Sequence, residues 1–174
     1  ETIFVRGILP PIHVESASHR NQNIPFMLMP YLGALKIWIY KAVFRLAPPG
    51  LWSLRIPVLL MGACSVLLTF LLARRFLPAV FAASASLMLA ADPMFLLTGT
   101  FDWGPVALQH LLVLLMVWAA MRTHESGNWI WAAVTGAAMG LGIWDKISFP
   151  WLLGGLLAAA RGRLWRGWKV SVTV

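Results

Sequence analysis

Asp102, in Phe-Asp-Trp-Gly-Pro, and Asp145, followed at once by Lys146 in Trp-Asp-Lys-Ile-Ser, stand at the ends of strongly apolar segments. If those segments cross a membrane in alternation, both carboxylates and the ammonium arrive at one edge. A charge at the middle of a membrane helix costs ~2.5–3.5 kcal/mol on insertion scales, so these groups need water, partners or a chemical role. A carboxylate within hydrogen-bond reach of a hydroxyl can serve as its general base. Lys146 can hold a phosphate as a point charge, with Asp145 orienting it or the acceptor. Gln109 follows Asp102 by seven residues and shares its helical direction, and His110 lies roughly 80° away, so the three can form a polar stripe into a bundle.

Each of these residues also has a structural reading. Asp102 before Trp103-Gly104-Pro105 has the form of an N-cap whose carboxylate accepts from orphan amides, and this is compatible with a role on substrate. Gln109 and His110 can hydrogen-bond a neighbouring helix. Asp145 and Lys146 can be interfacial charges neutralised locally. Asp92-Pro93 lies deep in an apolar segment, where a helix end freed by the proline accounts for it as well as function does.

The elements that would position them are set by composition. Hydrophobic residues make up 60% of the chain and charged ones 11%, with a mean hydropathy of +0.77. Soluble domains carry about 25% charged residues, so this is an integral membrane protein. Apolar stretches run over Pro57–Ala73, Pro78–Thr98, Pro105–Met121, Trp129–Trp144 and Ile147–Ala160. The first three easily meet the ~17–25 residues a span requires, and the last two are short. The pair Asp145-Lys146 with Pro150 following suits an interfacial turn between two spans, rather than one long kinked helix. The fold class is therefore all-α, a polytopic transmembrane bundle of about five spans in a truncated chain. Residues 1–53 form an extracytoplasmic loop and a juxtamembrane amphipathic helix, and residues 54–174 the bundle.

Within the first region, residues 1–23 are polar and water-exposed. From Pro30 to Leu46 the residues Leu32, Leu35, Ile39, Ala42, Val43 and Leu46 share one helical face, with Lys41 and Arg45 opposite and Lys36 at the border. This predicts a helix lying on the membrane, the alternative being a span whose lysines snorkel. Gly136 and Gly140, with nearby alanines, and the run Ala82, Ala83, Ser84, Ser86 predict close helix contacts. Trp52, Trp103, Trp129 and Trp144 are expected at the interfaces. Cys64 excludes an intrachain disulfide and reads as a small packing residue. There is no internal repeat.

The net charge of +8 would suggest nucleic acid in a soluble protein; here the basic residues flank membrane segments and anchor them. The 14 lysines and arginines divide evenly between the two sides, so charge sets orientation weakly, with the tail Arg161, Arg163, Arg166 and Lys169 placed in the cytoplasm. Motifs of soluble enzymes, such as the phosphate-binding Gly-rich loop or His-Glu-x-x-His, are missing. His13, Glu15 and His19 read as solvated loop residues rather than a metal half-site. Glu1 is not a methionine and Val174 follows a basic cluster, so both ends are expected to be cut, with an anchor upstream.

The order of features resembles the GT-C membrane glycosyltransferases, especially the protein O-mannosyltransferase and aminoarabinose transferase branch. Ile24-Pro25 through Arg45 resembles their amphipathic element, Arg55-Ile-Pro57 their Arg-Leu-Pro, and Leu72-Ala-Arg-Arg-Phe76 their span end. Asp92-Pro-Met-Phe-Leu-Leu97 through Asp102 is similar to the Ser-Pro-x-Phe segment and the following Leu-Asp. Gly140-Leu-Gly-Ile-Trp-Asp-Lys146 is similar to Gly-Leu-x-x-x-Thr-Lys-Gly, which places Lys146 on the family lysine. Two departures stand out: Asp145-Lys146-Ile147 replaces Thr-Lys-Gly, and the acidic pair of the outer loop has Glu1 as its only counterpart.

The resemblance implies an inverting glycosyltransferase fragment, inactive alone. It would move a sugar from a polyprenyl-phosphate donor in the membrane lipid to an unknown acceptor at the outer face of a bacterial inner membrane. Glu1 and Asp102 are then the candidate catalytic carboxylates, and Lys146, Asp145, Arg55, Gln109 and His110 the substrate-binding set. No cofactor is required and no metal ligands are assigned, though the chemistry is compatible with a divalent metal. A transporter or flippase fragment for a lipid-linked or anionic solute is the alternative, with Asp102, Gln109, His110 and Lys146 lining a pathway, and a non-catalytic assembly subunit is a third reading.

Overall fold

A computed structural model describes residues 27–29, 31–101, 104–155 and 158. The chain forms a short hairpin, β1 (Met27–Met29) and β2 (Leu32–Gly33), and then six helices: α1 (Leu35–Leu46), α2 (Leu51–Ala73), α3 (Ala79–Ala91), α4 (Pro93–Thr100), α5 (Val106–Ser126) and α6 (Trp129–Asp145). Residues 149–155 are again helical. The hairpin is antiparallel, pairing Met27 with Gly33 and Met29 with Leu32 across a bulge.

Helix ends follow local chemistry. Before α2 the Ser53 hydroxyl accepts from the Gly50 amide at 2.8 Å and donates to the Pro48 carbonyl at 2.9 Å, satisfying groups that a helix start leaves open. Gly127, at φ 61°, closes α5 in the left-handed region, and Asn128 caps α6 by accepting from the Ile130 amide at 3.0 Å. These two residues make the tight turn of the α5–α6 hairpin, which Trp118 and Trp131 brace edge to face at 5.0 Å.

The apolar stretch expected over Pro78–Thr98 is not one straight helix. It breaks at Asp92, whose ψ of 124° suits a residue before proline. Asp92 then accepts from the Phe95 amide at 2.8 Å, with Pro93 opening α4. The two pieces bend by 63°. Asp92 is thus an exposed helix cap at a bend, the local helix end that the proline frees.

The exterior is apolar and the interior carries small polar groups. Val80, Phe81, Leu87 and Met88 of α3 are all more than 60% exposed, whereas Ser65 and Ser86 are buried. Each of those serines donates to the carbonyl four residues back, Met61 for Ser65 and Ala82 for Ser86. Such a distribution suits hydrocarbon outside and close helix contacts inside. Two helices, Leu51–Ala73 and Val106–Ser126, are long and apolar enough to cross a membrane, and α3 with α4 gives a third if the bent pair is one span. That compares with the five spans expected; α6 has 17 residues, and the expected span over Ile147–Ala160 lies partly outside the described residues.

Several packing expectations need correction. Space is open around Gly136 and Gly140, and the close approaches fall elsewhere: Gly62 of α2 faces Gly99 of α4, and Gly142 faces the Phe149 ring. On α3, Ala82 and Ser86 are buried while Ala83 and Ser84 face out. Cys64 is exposed on α2 rather than packed between helices. The amphipathic helix begins at Leu35, not Pro30, because Leu32 is taken by β2. Its buried contacts come from Leu35 and Tyr40, with Ile39, Val43 and Phe44 beside them, and Leu46 is outside this face.

Candidate functional site

Three hydrogen-bonded links bring distant segments to one end of the bundle. Leu32 pairs with Lys146 as an isolated antiparallel bridge, and the Ile147 amide donates to the Tyr31 carbonyl at 3.2 Å. Gly33 lies so close to the end of α6 that a β-carbon on it would overlap the Trp144 carbonyl. The Tyr40 hydroxyl donates to the Leu54 carbonyl at 2.8 Å, tying α1 to the start of α2. Residues 31–40 therefore form a strap across helix ends.

The strap carries Lys36 to the turn between α4 and α5, where its ammonium donates to the Gly104 carbonyl. Lys36 and Asp145 are within electrostatic reach of each other: burial pulls the lysine below its ordinary pKa and the aspartate charge opposes that shift. Lys36 was a border residue of the amphipathic stripe, and sequence reasoning gave it no role at the site. The available signal was a cation interrupting an apolar face.

Asp145 is the last residue of α6 and is fully buried. Neither carboxylate oxygen has a hydrogen-bond partner among the described residues. The helix stops there because Lys146 turns extended, at φ −154° and ψ 129°, and residues 147–148 turn the chain into the helical stretch from 149. A turn at the polar pair, rather than one kinked helix, is what the structure has. Phe149, 0% exposed, packs on the glycine face of α6 at Gly142 and holds the turn down.

Arg55 is half-buried in the first turns of α2, with its guanidinium 5.2 Å from the centre of the Phe101 ring. Phe101 and Gly104 bracket the α4–α5 turn, so Arg55 and Lys36 hold that turn from two sides. Asp102 lies outside the described residues, as does Glu1. The N-cap position of α5 is occupied by Pro105, which has no side-chain cap to offer.

Gln109 and His110 are placed differently from Asp145 and Lys146. Gln109 donates to the Ser148 hydroxyl at 3.2 Å, joining α5 to the turn after α6. His110 stacks on Phe95 with centroids 6.0 Å apart. Both open onto a largely apolar cavity of about 680 Å³ that Thr69, Leu89 and Trp151 also line. Gln109 thus bonds to a neighbouring segment, though to a turn rather than a helix, and His110 lines a lateral cavity. At the opposite end of the bundle Arg75 pairs with Glu125 at 2.5 Å.

The apolar exterior, spanning helices and charged edge define an integral membrane protein. Residues 33–170 match the family described as dolichyl-phosphate-mannose-protein mannosyltransferase, and the chain belongs to that family of GT-C membrane glycosyltransferases. No curated protein and no solved structure matches it significantly. The match begins at Gly33, so it takes in most of the strap together with α1 through α6.

Proposed function

We propose that this chain forms the donor-binding part of an inverting glycosyltransferase that takes a sugar from a polyprenyl-phosphate donor, with the reaction at the extracytoplasmic face. The observation that carries this reading is the meeting of Lys36 and Lys146 beside Asp145 at one end of an apolar bundle. A lipid phosphate lies where hydrocarbon meets water, and fixed ammonium groups there stabilise the charge it gains as it leaves. Arg55 near the α4–α5 turn is a further cation for the same phosphate.

In the reaction an acceptor hydroxyl attacks the anomeric carbon while the bond from that carbon to the phosphate oxygen breaks. The bonding pair leaves with the phosphate, and the hydroxyl proton passes to a carboxylate, for which Glu1 and Asp102 are the candidates. The reaction requires no cofactor. Asp145 orients Lys36 or the acceptor, Gln109 holds the turn that carries Lys146, and His110 borders the space beside it. In the complete protein, α6 supplies a further span toward the expected five, and the fragment alone is inactive.

One observation favours a second reading. The 63° break between α3 and α4 resembles the discontinuous helices of transporters, in which polar residues line a pathway. One assay separates the two: the complete protein in membrane vesicles, supplied with radiolabelled polyprenyl-phosphate sugar and tested with Lys146→Met. Sugar transfer that falls with the substitution supports the transferase. Movement of label across the membrane without transfer supports the pathway.

A further inference from the structure

The two helices long and apolar enough to span a membrane end at the same level, α2 at Ala73 and α5 at Ser126, and there two arginines converge on one carboxylate. A guanidinium nitrogen of Arg75, in the turn after α2, lies 2.5 Å from one oxygen of Glu125. A guanidinium nitrogen of Arg122, one turn before Glu125 on α5, lies 3.9 Å from the other oxygen. Arg122 also leans on the Trp118 ring, 5.5 Å from its centre, and Trp118 is braced in turn by Trp131 of α6. The Arg75 side chain is only 17% exposed. Two guanidinium groups from separate elements are thus held in place by contacts within the protein, which lowers the ordering cost of binding a ligand between them.

We propose that Arg75 and Arg122 bind the phosphodiester headgroup of an anionic phospholipid, with Glu125 as the carboxylate that gathers the two cations. Each guanidinium has five N–H donors in a planar fork that matches phosphate oxygens, and among the described residues the two share one carboxylate. The surroundings place the ligand in lipid rather than water: Leu77 and Phe81 around the start of α3 and Trp129 at the start of α6 are 45%, 63% and 76% exposed, an apolar rim for acyl chains beside the cations. Basic pockets between membrane helices hold anionic headgroups in this way. A zwitterionic lipid is disfavoured, because its own ammonium would approach the arginines. The site lies at the end of the bundle away from Lys146 and is independent of the donor reading. The lipid ties the ends of α2 and α5 to one leaflet and takes no part in transfer.

The complete protein in detergent is titrated with phosphatidylglycerol and with phosphatidylcholine of the same acyl chains, and bound lipid is counted by native mass spectrometry. Phosphatidylglycerol should bind more tightly. Arg75→Gln and Arg122→Gln should each lower its affinity roughly fivefold, the scale of one arginine beside an anionic lipid, and leave phosphatidylcholine little changed. Glu125→Gln breaks the same ion pair as Arg75→Gln but keeps both cations, so it should maintain or raise the affinity. A loss in all three variants would show that the ion pair shapes this end and that no phosphate is read, and it would overturn the proposal. So would equal affinity of the wild type for the two lipids. Displacement of phosphatidylglycerol by inorganic phosphate would assign the arginines to a soluble anion and overturn the lipid assignment.

Discussion

Leu32 and Lys146 form an isolated antiparallel bridge that holds the start of the strap against the end of α6. The lysine of the candidate site therefore has its backbone fixed by a segment from the other end of the described chain. Lys36 sits four residues beyond Leu32, so the same contact that fixes the Lys146 backbone also places the segment that carries Lys36. The site and the strap should be lost or kept together.

Gly33 is where that dependence can be tested. A β-carbon there meets the Trp144 carbonyl, which is backbone and cannot swing aside. Gly33→Val should cost ~1–3 kcal/mol, the usual range for overpacking. It should also expose residues 31–40 to protease in the detergent-solubilised full protein. A melting curve and cleavage pattern like those of the wild type would show that the strap does not need this close approach.

Gly142 and Phe149 should behave as a coupled pair. An alanine at Gly142 drives its β-carbon into the Phe149 ring, and Phe149 is fully buried. Gly142→Ala alone should destabilise, and Gly142→Ala with Phe149→Leu should destabilise less than the sum of the two. A coupling of about 0.5–3 kcal/mol is expected for residues in contact. Additive effects in thermal unfolding would mean that the turn after α6 is held by something else.

If Lys36 and Lys146 hold the leaving phosphate, Lys36→Met and Lys146→Met should each reduce turnover by about 10²-fold, the scale found on removing one preorganised donor to a developing charge. Glu125→Gln, at the opposite end of the bundle, removes an exposed ion pair worth about 0–1 kcal/mol and should leave transfer unchanged. Radiolabelled transfer by the complete protein reads all three.

The alkaline limb of the pH–rate profile should report Lys36. Burial lowers its pKa and the negative charge of Asp145 opposes that lowering. Asp145→Asn removes the opposing charge, so Lys36 loses its proton sooner and the limb moves to lower pH. Groups that also face Lys36 among the described residues include the Gly104 carbonyl and the Tyr40 ring, 5.9 Å away, and Lys146 adds its charge to that at Asp145. A limb that stays in place or moves upward would show that another group titrates.

Asp92 should matter to shape more than to chemistry. Its carboxylate caps α4 through the Phe95 amide, so Asp92→Ala should cost ~1 kcal/mol, while Asp92→Asn retains a capping oxygen and most of the stability. Pro93→Ala should straighten the α3–α4 bend, and spin-label distances between the ends of the two helices would lengthen.

The membrane setting, the helical fold and the family were legible in the sequence, because each rests on local quantities: apolar run length, charge at segment ends and the order of short motifs. The stop at Asp145-Lys146 was legible for the same reason. A helix ending in two charges before an X-Pro turn needs no distant partner to be recognised. The bend at Asp92-Pro93 was half legible, since proline marks a possible break but the 63° angle depends on what α3 and α4 pack against.

What only the tertiary structure decided is which residues meet. Periodicity ranked Gly136 and Gly140 as contact glycines, yet Gly33, Gly62 and Gly142 make the close approaches, because a helix face becomes an interface only when a neighbour arrives at it. Gln109 and His110 read as part of a polar stripe, and only the fold shows that Ser148 and Phe95 are their neighbours and that both border a lateral cavity. Lys36 looked like the edge of a surface helix until the bridge from Leu32 to Lys146 brought its segment across the bundle. Contacts between residues far apart in the chain depend on the path of the backbone between them, and no local pattern of residue types carries that information.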